Sequence, residues 1–288
     1  MARPDGRVMP RAKKPVRNII VIADTHCNST IGLCLPEGHR LDDGGRYHPS
    51  PFQTQLWCLF QDLRQNWIPR VTKGEPWHLV LNGDAIDGDH HKTPTIISRN
   101  MQDQFRVARD TLSGIVKECH ASGGDLYSVR GTEAHVGPSA QEEERLAEAL
   151  GAVPNKVGNY SRWRLKLMLG DHLVSFRHHI GGGASQAYEG TALTKTQAGQ
   201  FSDAGRWGRR VAQVDVRAHR HRYAKWEKDG RAGHFITVVV PGWQGLTPFS
   251  HRMSEPQEPE FGAVLVRLGD EEIYTRSMVY SLPDDEEE

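Results

Sequence analysis

The first half of the chain alternates short apolar runs with segments whose apolar residues recur at helical spacing. Residues 18–23 form a β-branched run without polar alternation, which is typical of a strand buried on both faces. Two further runs, at residues 78–81 and 126–129, predict a second and a third strand. Ser139 and Glu142 match a capping box at the start of one predicted helix. The helices are expected at residues 52–63, 101–119 and 139–150.

The second half of the chain has a different texture, because strand-like runs replace the helical pattern. A polar segment at residues 184–210 interrupts these runs, and it is interpreted either as a lid beside a site or as a surface excursion. Strand-helix alternation followed by strand-rich sequence predicts a mixed sheet, or two facing sheets, covered outside by helices. The strand-like runs lie at residues 162–169, 172–176, 211–218, 235–240, 262–268 and 272–281.

Composition and charge favour one ordinary domain. The 288 residues are 37% hydrophobic, and 36 basic residues offset 36 acidic ones, which excludes a strongly electropositive protein. The domain is predicted to cover residues 18–282, between a flexible basic arm at residues 1–17 and an acidic tail at residues 283–288. The apolar run after the arm is too short for a signal sequence or a membrane span, and the four cysteines form no CxxC pair. We therefore expect a cytoplasmic protein with reduced thiols, no membrane association and no disulfide-linked partner.

Clusters of Asp and His follow five of the predicted strands directly, and the chain contains 15 His in all. The carboxyl ends of strands in an α/β sheet meet at one edge, so the clusters are expected to converge. Carboxylate and imidazole ligands together suit Mn²⁺, Fe or Zn²⁺ and are too rich in nitrogen for Ca²⁺ or Mg²⁺, which predicts a site for two divalent ions. The clusters are Asp24-Thr25-His26, Gly83-Asp84-Ala85-Ile86-Asp87, Gly131-Thr132-Glu133-Ala134-His135, His178-His179 and His219-Arg220-His221.

The order of these motifs resembles the calcineurin-like dinuclear metallophosphoesterases. That family has D-x-H, G-D-x-x-D, Gly-Asn-His-Asp/Glu, a lone His and Gly-His-x-His, and the resemblance runs from about residue 18 to about residue 242. It implies an α/β (α+β) fold, a sandwich of two mixed β-sheets flanked by helices. It also implies a phosphate-ester substrate and two divalent metal ions, with Mn²⁺ expected and Fe or Zn²⁺ as alternatives.

The resemblance assigns roles to individual residues. His179 is the alternative to His178, because the doublet leaves the register open. Asp87 would lie beside the ligands and support catalysis. The implied ligands are Asp24, His26 and His221 for the first ion, Asp84 as the bridge, and His178 and His219 for the second ion.

The chain departs from the family pattern at two places. Ala218 stands where a Gly usually precedes the paired His, which is a minor change. In the third motif Thr132 and Glu133 stand where the family has a metal-binding Asn and a His that assists the leaving group or stabilises the transition state. His135, two residues further on, is a candidate for either role, and Thr132 and Glu133 stay candidate metal ligands.

The implied reaction is hydrolysis by a metal-bound hydroxide that attacks phosphorus in line. Basic side chains beside the motifs are candidates to bind the phosphoryl oxygens, although each is also explained as an ordinary surface or loop residue. These candidates are Arg130, Arg177, Arg220, His90 and His91.

Three functions remain open at this point. A phosphodiesterase on a nucleotide or nucleic-acid substrate is preferred, because residues 206–231 combine basic residues with Trp207, Tyr223 and Trp226, as single-stranded nucleic-acid sites do. A charged hairpin between strands is the other interpretation of that segment. The alternatives are a phosphomonoesterase on a small molecule or phosphoprotein, and a metal-binding interaction module without catalysis.

Overall fold

The computed structural model describes residues 15–90, 93–137, 139–181, 189–248, 250–252, 258–270 and 272–281. Its strands are β1 Asn18–Ile22, β2 His39–Arg40, β3 Arg46–Tyr47, β4 Trp77–Asn82, β5 Leu126–Val129, β6 Ser161–Arg162, β7 Leu165–Leu169, β8 His172–Phe176, β9 Val214–Arg217, β10 Ala224–Gly230, β11 Gly233–Val239, β12 Phe261–Leu268 and β13 Ile273–Tyr280. Its helices are α1 Pro51–Asp62, α2 Ile68–Thr72, α3 Met101–Ser122, α4 Glu133–Val136, α5 Gln141–Ala149 and α6 Glu189–Trp207, with a π-helical segment Leu63–Trp67 between α1 and α2 and a 3₁₀ turn Ser250–Arg252.

The first sheet has six strands in the order β13-β12-β1-β4-β5-β6. Strands β1, β4, β5 and β6 run parallel to one another, whereas β12 is antiparallel to β1 and β13 is antiparallel to β12. All of β1 is buried, as its unbroken apolar run predicts for a central strand covered on both faces. The carboxyl ends of β1, β4 and β5 therefore lie at one edge of the sheet, and the first three motifs begin there.

The second sheet has five strands in the order β10-β11-β9-β8-β7. Strands β8, β9 and β11 are parallel, and the antiparallel strands β7 and β10 form the two edges. A third, two-stranded sheet pairs β2 with β3 in the loop before α1. Two larger mixed sheets with helices outside them confirm the α/β (α+β) prediction.

Two apolar cores hold these layers together. Ile19 and Val21 of β1 point between the sheets and pack with residues of the second sheet such as Val216. Ile20 and Ile22 point the opposite way, into the core under the helices. This division follows from the strand pleat, which sends successive side chains to opposite faces.

Helix α5 begins differently from the sequence prediction. The capping box at Ser139 and Glu142 is wrong, because the residue before the helix is Ala140, which has a φ of 51° and provides no side-chain cap. A capping box does occur at α1, where Ser50 and Gln53 exchange hydrogen bonds. At α5 the inward-facing acid is Glu143, which is 2% exposed and serves the site described below.

The polar segment at residues 184–210 forms a helix where it is described. Helix α6 packs against β10 and β11, and its Leu193 contacts Val239 on the outer face of the second sheet. Residues 184–188 lie outside the described residues. The described part of the predicted lid is therefore a covering layer of the second sheet.

Strand β10 belongs to the segment that suggested a nucleic-acid surface. It forms a hairpin with β11, in which Trp226 pairs with Thr237. Trp226 packs beneath α6, and Tyr223 packs against the core between the sheets. Two of the three aromatic residues behind that prediction are thus used in packing, and only Trp207 of the three is largely exposed, at 59%.

The termini and cysteines add little to the site. The predicted arm is described only from Pro15, and Arg17 already donates to the Leu268 carbonyl at 3.0 Å, whereas the predicted acidic tail lies outside the described residues.

No helix in the described ranges is both long and apolar enough to cross a membrane. All four cysteines are free thiols, and burial raises the pKa of Cys27 to about 12, as suits a small buried apolar side chain.

Replacement of Trp243 by Ala is expected to lower the free energy of unfolding by about 3–5 kcal/mol. Trp243 is fully buried, its ring centroid lies 5.0 Å from that of Phe60, and its Nε1 donates to the Gly262 carbonyl at 2.8 Å. Urea unfolding measures the change. The exposed Trp207→Ala is the control and should change the stability by less than about 0.5 kcal/mol; equal losses in both variants would contradict the packing described.

Candidate metal centre

The structure brings the predicted ligands together at the carboxyl ends of the strands. Among the described residues, five groups of ligand atoms contain predicted site residues, and within each group the atoms lie within 4.8 Å of one another. Two of the five contain His135, once with His26 and Asp84 and once with Asp87 and His90. The two groups that match the predicted ion sites are Asp24 with His26 and His221, and Asp24 with Asp84, His178 and His219. The remaining group joins His178 and His219 to His179.

The backbone is strained at these positions. Among the described residues, eight other than glycine have a positive φ, and five of these are predicted ligands. Each left-handed residue costs about 1–2 kcal/mol, and such strain is typical of functional sites. The five are Asp24 (52°), His26 (40°), Asp84 (51°), His219 (76°) and His221 (52°).

The first group is formed by the loops after β1 and β9. Nε2 of His26 and Nε2 of His221 lie 3.1 Å apart, and Oδ1 of Asp24 lies 3.4 Å from Nε2 of His221. The other carboxylate oxygen of Asp24 accepts a hydrogen bond from the backbone N–H of His219 at 3.2 Å. One oxygen of Asp24 is thus fixed by the backbone and the other faces the imidazole nitrogens.

The second group adds the loops after β4 and β8. Oδ2 of Asp84 lies 2.9 Å from Nε2 of His178 and 3.9 Å from Nδ1 of His219. Nδ1 of His178 lies 2.8 Å from the carbonyl of Asn82, which fixes the ring so that Nε2 points into the group. His178 is buried and His179 is exposed.

Both members of the histidine doublet reach the site. Nε2 of His179 lies 3.4 Å from the Thr132 hydroxyl, and its ring centroid lies 4.8 Å from that of His219. The two residues differ in position: His178 is buried within the four-residue group that contains Asp24, whereas His179 is exposed and belongs to the group with His178 and His219.

Asp87 orients the first group from behind. Its Oδ1 lies 2.9 Å from Nδ1 of His26, accepts from Nε2 of Gln244 at 2.9 Å, and lies 3.5 Å from Nε2 of His90. Burial alone would raise the pKa of Asp87, but the hydrogen bonds from His26 and His90 hold it well below its usual range. Asp87 is therefore a charged residue that sets the ring orientation of His26. Gln244 is a residue that the sequence prediction missed.

Thr132 hydrogen-bonds to Asp84 and contacts two of the histidines predicted as ligands. Its backbone N–H and hydroxyl both approach the carboxylate of Asp84, at 2.6 and 3.0 Å. The same hydroxyl lies 3.3 Å from Nε2 of His178 and 3.2 Å from Nδ1 of His219. Glu133, by contrast, is exposed and belongs to none of the candidate metal groups in the described chain. Of the two open candidates, Thr132 alone lies in the site.

His135 faces the site with a defined tautomer. Its Nδ1 lies 2.6 Å from the carbonyl of Asp87, so Nδ1 carries the hydrogen and Nε2 is a free acceptor. Nε2 lies 4.0 Å from Oδ2 of Asp84. Burial, reinforced by the neighbouring His26, lowers the pKa of His135 to about 4. At neutral pH the ring is therefore uncharged.

Glycine is required where the second and third motifs approach each other. A Cβ at Gly131 would lie 2.0 Å from Oδ1 of Asp84, and one at Gly83 would lie 2.4 Å from Nδ1 of His178. Neither residue can be replaced without moving a proposed ligand. Close packing against His178 and Asp84 thus explains why the second and third motifs each begin with glycine.

Glu143 supports the same two motifs and was not predicted from the sequence. Its carboxylate accepts from the backbone N–H of Gly131 at 2.6 Å and of Ala85 at 3.3 Å, so one side chain joins the third motif to the residue after Asp84. Burial, and then repulsion by Asp84, raises the pKa of Glu143 to about 7. A sequence signal was present, because an acidic residue is expected near the start of helix α5, but the sequence analysis assigned that position to Glu142 and not to Glu143.

The predicted phosphate-binding arginines have other contacts. Arg130 donates to Ser161 at 3.0 Å, and its guanidinium carbon lies 5.4 Å from the centre of the Trp163 ring. Arg177 lines a separate cavity on the outer face of the second sheet, because it precedes the inward His178 and points the opposite way. Neither side chain is among the contacts described for the ligand cluster, and their role in substrate binding stays a prediction.

The other three residues predicted to bind substrate are Arg220, His90 and His91, of which the structure describes the first two. Arg220 donates to the carbonyl of Gly181 at 2.6 Å from its place between His219 and His221. His90 lies beside His135, with 4.3 Å between ring centroids. His91 lies outside the described residues.

The cluster balances its own charges in the absence of a cation. Burial opposes ionisation of Asp24 and Asp84, but the nearby imidazolium of His178 overrides it and lowers both pKa values. For His178 the balance is reversed: burial opposes the charge, and the two carboxylates raise its pKa to about 10. The pKa of His221 is also raised, chiefly by Asp24 against the cost of burial. The protonated imidazoles of His178 and His221 thus offset the carboxylate charges that bound cations would otherwise offset.

One atom tests whether a metal fits. Oδ1 of Asp24 is buried, has no hydrogen-bond partner, and lies 3.8 Å from Nε2 of His178 and 3.4 Å from Nε2 of His221. A buried carboxylate oxygen without a donor needs an explanation, and a cation between oxygen and imidazole nitrogens provides one. The donor set of carboxylates and neutral imidazoles suits divalent transition metals.

No protein-family model and no curated protein matches the chain. Among solved structures, it is similar to a predicted phosphoesterase from Streptococcus pneumoniae, with 11% identity, 93% of each chain covered and a TM-score of 0.36. Vacuolar protein sorting 29 from Cryptosporidium parvum is 12% identical, with 93% of this chain and 100% of that chain covered and a TM-score of 0.35. Sulfate thiohydrolase SoxB from Thermus thermophilus is 11% identical, with 96% of this chain and 58% of that chain covered and a TM-score of 0.38.

Proposed function

We propose that the chain is a calcineurin-like metallophosphoesterase that hydrolyses a phosphate ester with two divalent ions. The observation that carries this proposal is the unpartnered Oδ1 of Asp24, which lies between the imidazoles of His178 and His221. The left-handed backbone at five proposed ligands supports it, because strained backbone conformations cluster at active sites and ligand-binding sites.

The proposed ligands divide as the motif order implies. Asp24, His26 and His221 would hold one ion, and His178 and His219 the other. Asp84 would bridge them, since its Oδ2 lies 2.9 Å from Nε2 of His178 and its carboxylate also lies within 4.8 Å of a ligand nitrogen of His26. When bound, the two ions would act as Lewis acids on the phosphoryl oxygens and lower the pKa of water, as in other two-metal hydrolases. Mn²⁺ is the proposed metal.

The side chains around the ligands keep them in place. Asp87 holds the His26 ring through Nδ1, and the Asn82 carbonyl holds that of His178. Glu143 ties the second motif to the third through two backbone N–H groups. Loss of a hydrogen bond that orients a metal ligand usually lowers metal affinity or activity by about 10–100-fold.

His135 is the proposed proton acceptor. It is neutral at pH 7, and its Nδ1–H is committed to the Asp87 carbonyl, so the lone pair on Nε2 is available to take a proton from the attacking water. A general acid would have to be protonated before the reaction, which a pKa of about 4 opposes. Its place beside Asp84 and His26 also makes it a candidate ligand.

A phosphodiester is the proposed substrate class, in a nucleotide or a nucleic acid. A monoester carries two negative charges near neutral pH and a diester carries one. Arg130 and Arg177, two of the three arginines predicted to bind the phosphoryl oxygens, have contacts elsewhere. Arg220 remains beside the ligands. This modest positive charge favours the diester.

Parallel assays of the Mn²⁺-loaded protein test the proposal. The substrates are a chromogenic diester, a chromogenic monoester, and labelled single- and double-stranded DNA, with bound metal counted by elemental analysis. We expect the diester to be turned over at least tenfold faster than the monoester. The reverse preference would make the protein a phosphomonoesterase. Two bound ions without turnover of any substrate would contradict the enzyme proposal and leave a metal-binding interaction module.

His135→Ala is expected to reduce kcat by about 10²–10³-fold, the usual contribution of a general acid or base. Two ions should stay bound, because the acceptor role needs no coordination. Loss of one ion would make His135 a ligand, and unchanged kcat would remove it from the mechanism. His120→Ala, an exposed histidine on α3, is the matched control and should behave like the parent.

A further inference from the structure

A second charged cavity lies on the outer face of the second sheet, between β7, β8 and β9 and helix α6. This outer cavity has a volume of about 330 Å³, and seven basic side chains and one acidic side chain line it. None of its residues is among the proposed metal ligands. The basic residues include Arg164, Lys166, Arg177, Lys195, Arg209 and Arg217, and the acidic residue is Asp203.

The positive charges in the outer cavity are poorly offset. Arg217 pairs with the buried Asp215 at 2.6 Å, which leaves Asp203 as the one acid of the lining. Burial lowers the pKa of Arg177, and Arg164 and Arg217 lower it further. Such mutual repulsion costs folding free energy, and a bound anion would relieve it.

One side-chain amide of α6 lies in the outer cavity without a partner. Gln200 lines the cavity, and its Nε2 is a buried atom with no hydrogen-bond partner. Gln197, three residues earlier, also has an unpartnered Nε2, but it is not part of the cavity lining, and its Oε1 accepts from the hydroxyl of Thr237 at 2.8 Å. An unpartnered N–H donor beside a cluster of cations suits the oxygens of phosphate groups.

An apolar pocket adjoins the outer cavity at its end near β11. The two share Ala204, Arg209, Arg210 and Val211 in their linings, so they lie side by side. The apolar pocket is lined by Phe201 and Phe235, whose ring centroids lie 4.8 Å apart, and its volume is about 540 Å³. Aromatic side chains in such a pocket can stack with a flat ring.

We propose that the outer cavity and the apolar pocket together form a binding site for a nucleoside polyphosphate. The phosphates would lie among Arg164, Lys166 and Arg177, and the base would lie against Phe201 and Phe235. An inorganic polyphosphate would leave the apolar pocket unused. The site is separate from the metal centre, and its occupation does not depend on the proposed hydrolysis.

Calorimetric titration of the metal-free protein in EDTA tests this site, because substrate binding at the metal centre needs the ions. The probes are ATP, inorganic triphosphate, adenosine and a single-stranded oligonucleotide. We expect ATP to bind most tightly, triphosphate more weakly and adenosine weakest. Tighter binding of the oligonucleotide than of ATP would overturn the proposal in favour of a nucleic-acid surface, and absence of ATP binding would overturn it outright.

Variants separate the two halves of the site. Arg164→Ala with Lys166→Ala should weaken the binding of ATP and of triphosphate alike, by about tenfold or more, since hydrogen bonds to charged groups are stronger than those between neutral groups. Phe201→Ala should weaken ATP binding by about tenfold and leave triphosphate binding unchanged, because only ATP has a base that can stack on the ring. Unchanged ATP affinity in either variant would overturn the corresponding half of the proposal.

The control removes the same two charges elsewhere. Arg70→Ala with Lys117→Ala changes exposed residues of α2 and α3, under the first sheet, and should leave ATP affinity unchanged. An equal loss of ATP affinity in this control would show general charge attraction and overturn a specific site. Thermal unfolding of every variant, together with unchanged triphosphate binding by Phe201→Ala, shows that the fold is retained.

Discussion

Asp84→Asn is expected to lower kcat on a phosphodiester by about 10³-fold or more, because a bound metal contributes several kcal/mol to transition-state stabilisation. Asp84 is 1% exposed and approaches His178 at 2.9 Å, His219 at 3.9 Å and His135 at 4.0 Å. An amide keeps the shape of the side chain but loses the negative charge that would hold two cations close together. Steady-state kinetics with Mn²⁺ and a metal count per protein measure both consequences.

The control for this variant is Asp171→Asn, an exposed aspartate in the turn between β7 and β8. It removes the same charge without touching the ligands, so kcat and metal content should match the parent. Full activity of Asp84→Asn with two bound ions would show that Asp84 does not bridge. A folded variant that has lost one ion supports the bridging role directly.

Addition of Mn²⁺ to the metal-free protein is expected to raise Tm by about 10 °C. At a metal concentration a thousandfold above Kd, binding stabilises the native state by about 4 kcal/mol, and a chain of this size gains about 2–4 °C per kcal/mol. The buried carboxylates of Asp24 and Asp84 then face cations in place of protonated imidazoles. Thermal denaturation followed by circular dichroism, with and without EDTA, measures the shift.

The size of this shift should depend on pH. Without metal, His178 has a pKa of about 10 against 6.5 for an ordinary histidine, so its contribution to stability is full below pH 6.5 and is lost as pH rises through about 10. Metal binding has the opposite dependence, because its ligands must lose their protons. The Mn²⁺-induced shift should therefore be larger at pH 8 than at pH 6. A smaller shift at pH 8, or an equal shift in Asp84→Asn, would contradict coordination by this cluster.

Much of the sheet framework was readable from the sequence because the central strands are buried on both faces. The runs at residues 18–23, 78–81 and 126–129 match β1, β4 and β5 to within one or two residues. Helix α3 was equally clear, since its apolar stripe ends at Gly123, which caps the helix with a φ of 92°. Strand β10 was missed, because most of its residues are exposed and charged and its partner β11 decides its conformation.

The ligand motifs were readable for a related reason. Asp24, Asp84 and His178 each come one or two residues after a buried strand, so their place at the sheet edge follows from where the apolar run stops. The direction of a neighbouring side chain does not follow in the same way. Arg177 and His178 are adjacent, and only the pleat of β8 and the packing of α6 send Arg177 to the outer cavity.

The sequence by itself determined the order of the motifs along the chain, the Asp and His chemistry at the ends of the predicted strands, and the expectation of two metals, because these depend on residue type and local periodicity. The tertiary structure decided which third-motif group enters the site, where Thr132 and His135 lie among the ligands and Glu133 is exposed. It also decided that Glu143 joins two motifs from a helix and that the basic residues form a second cavity. These are contacts between residues distant in the chain, and local periodicity carries no information about them.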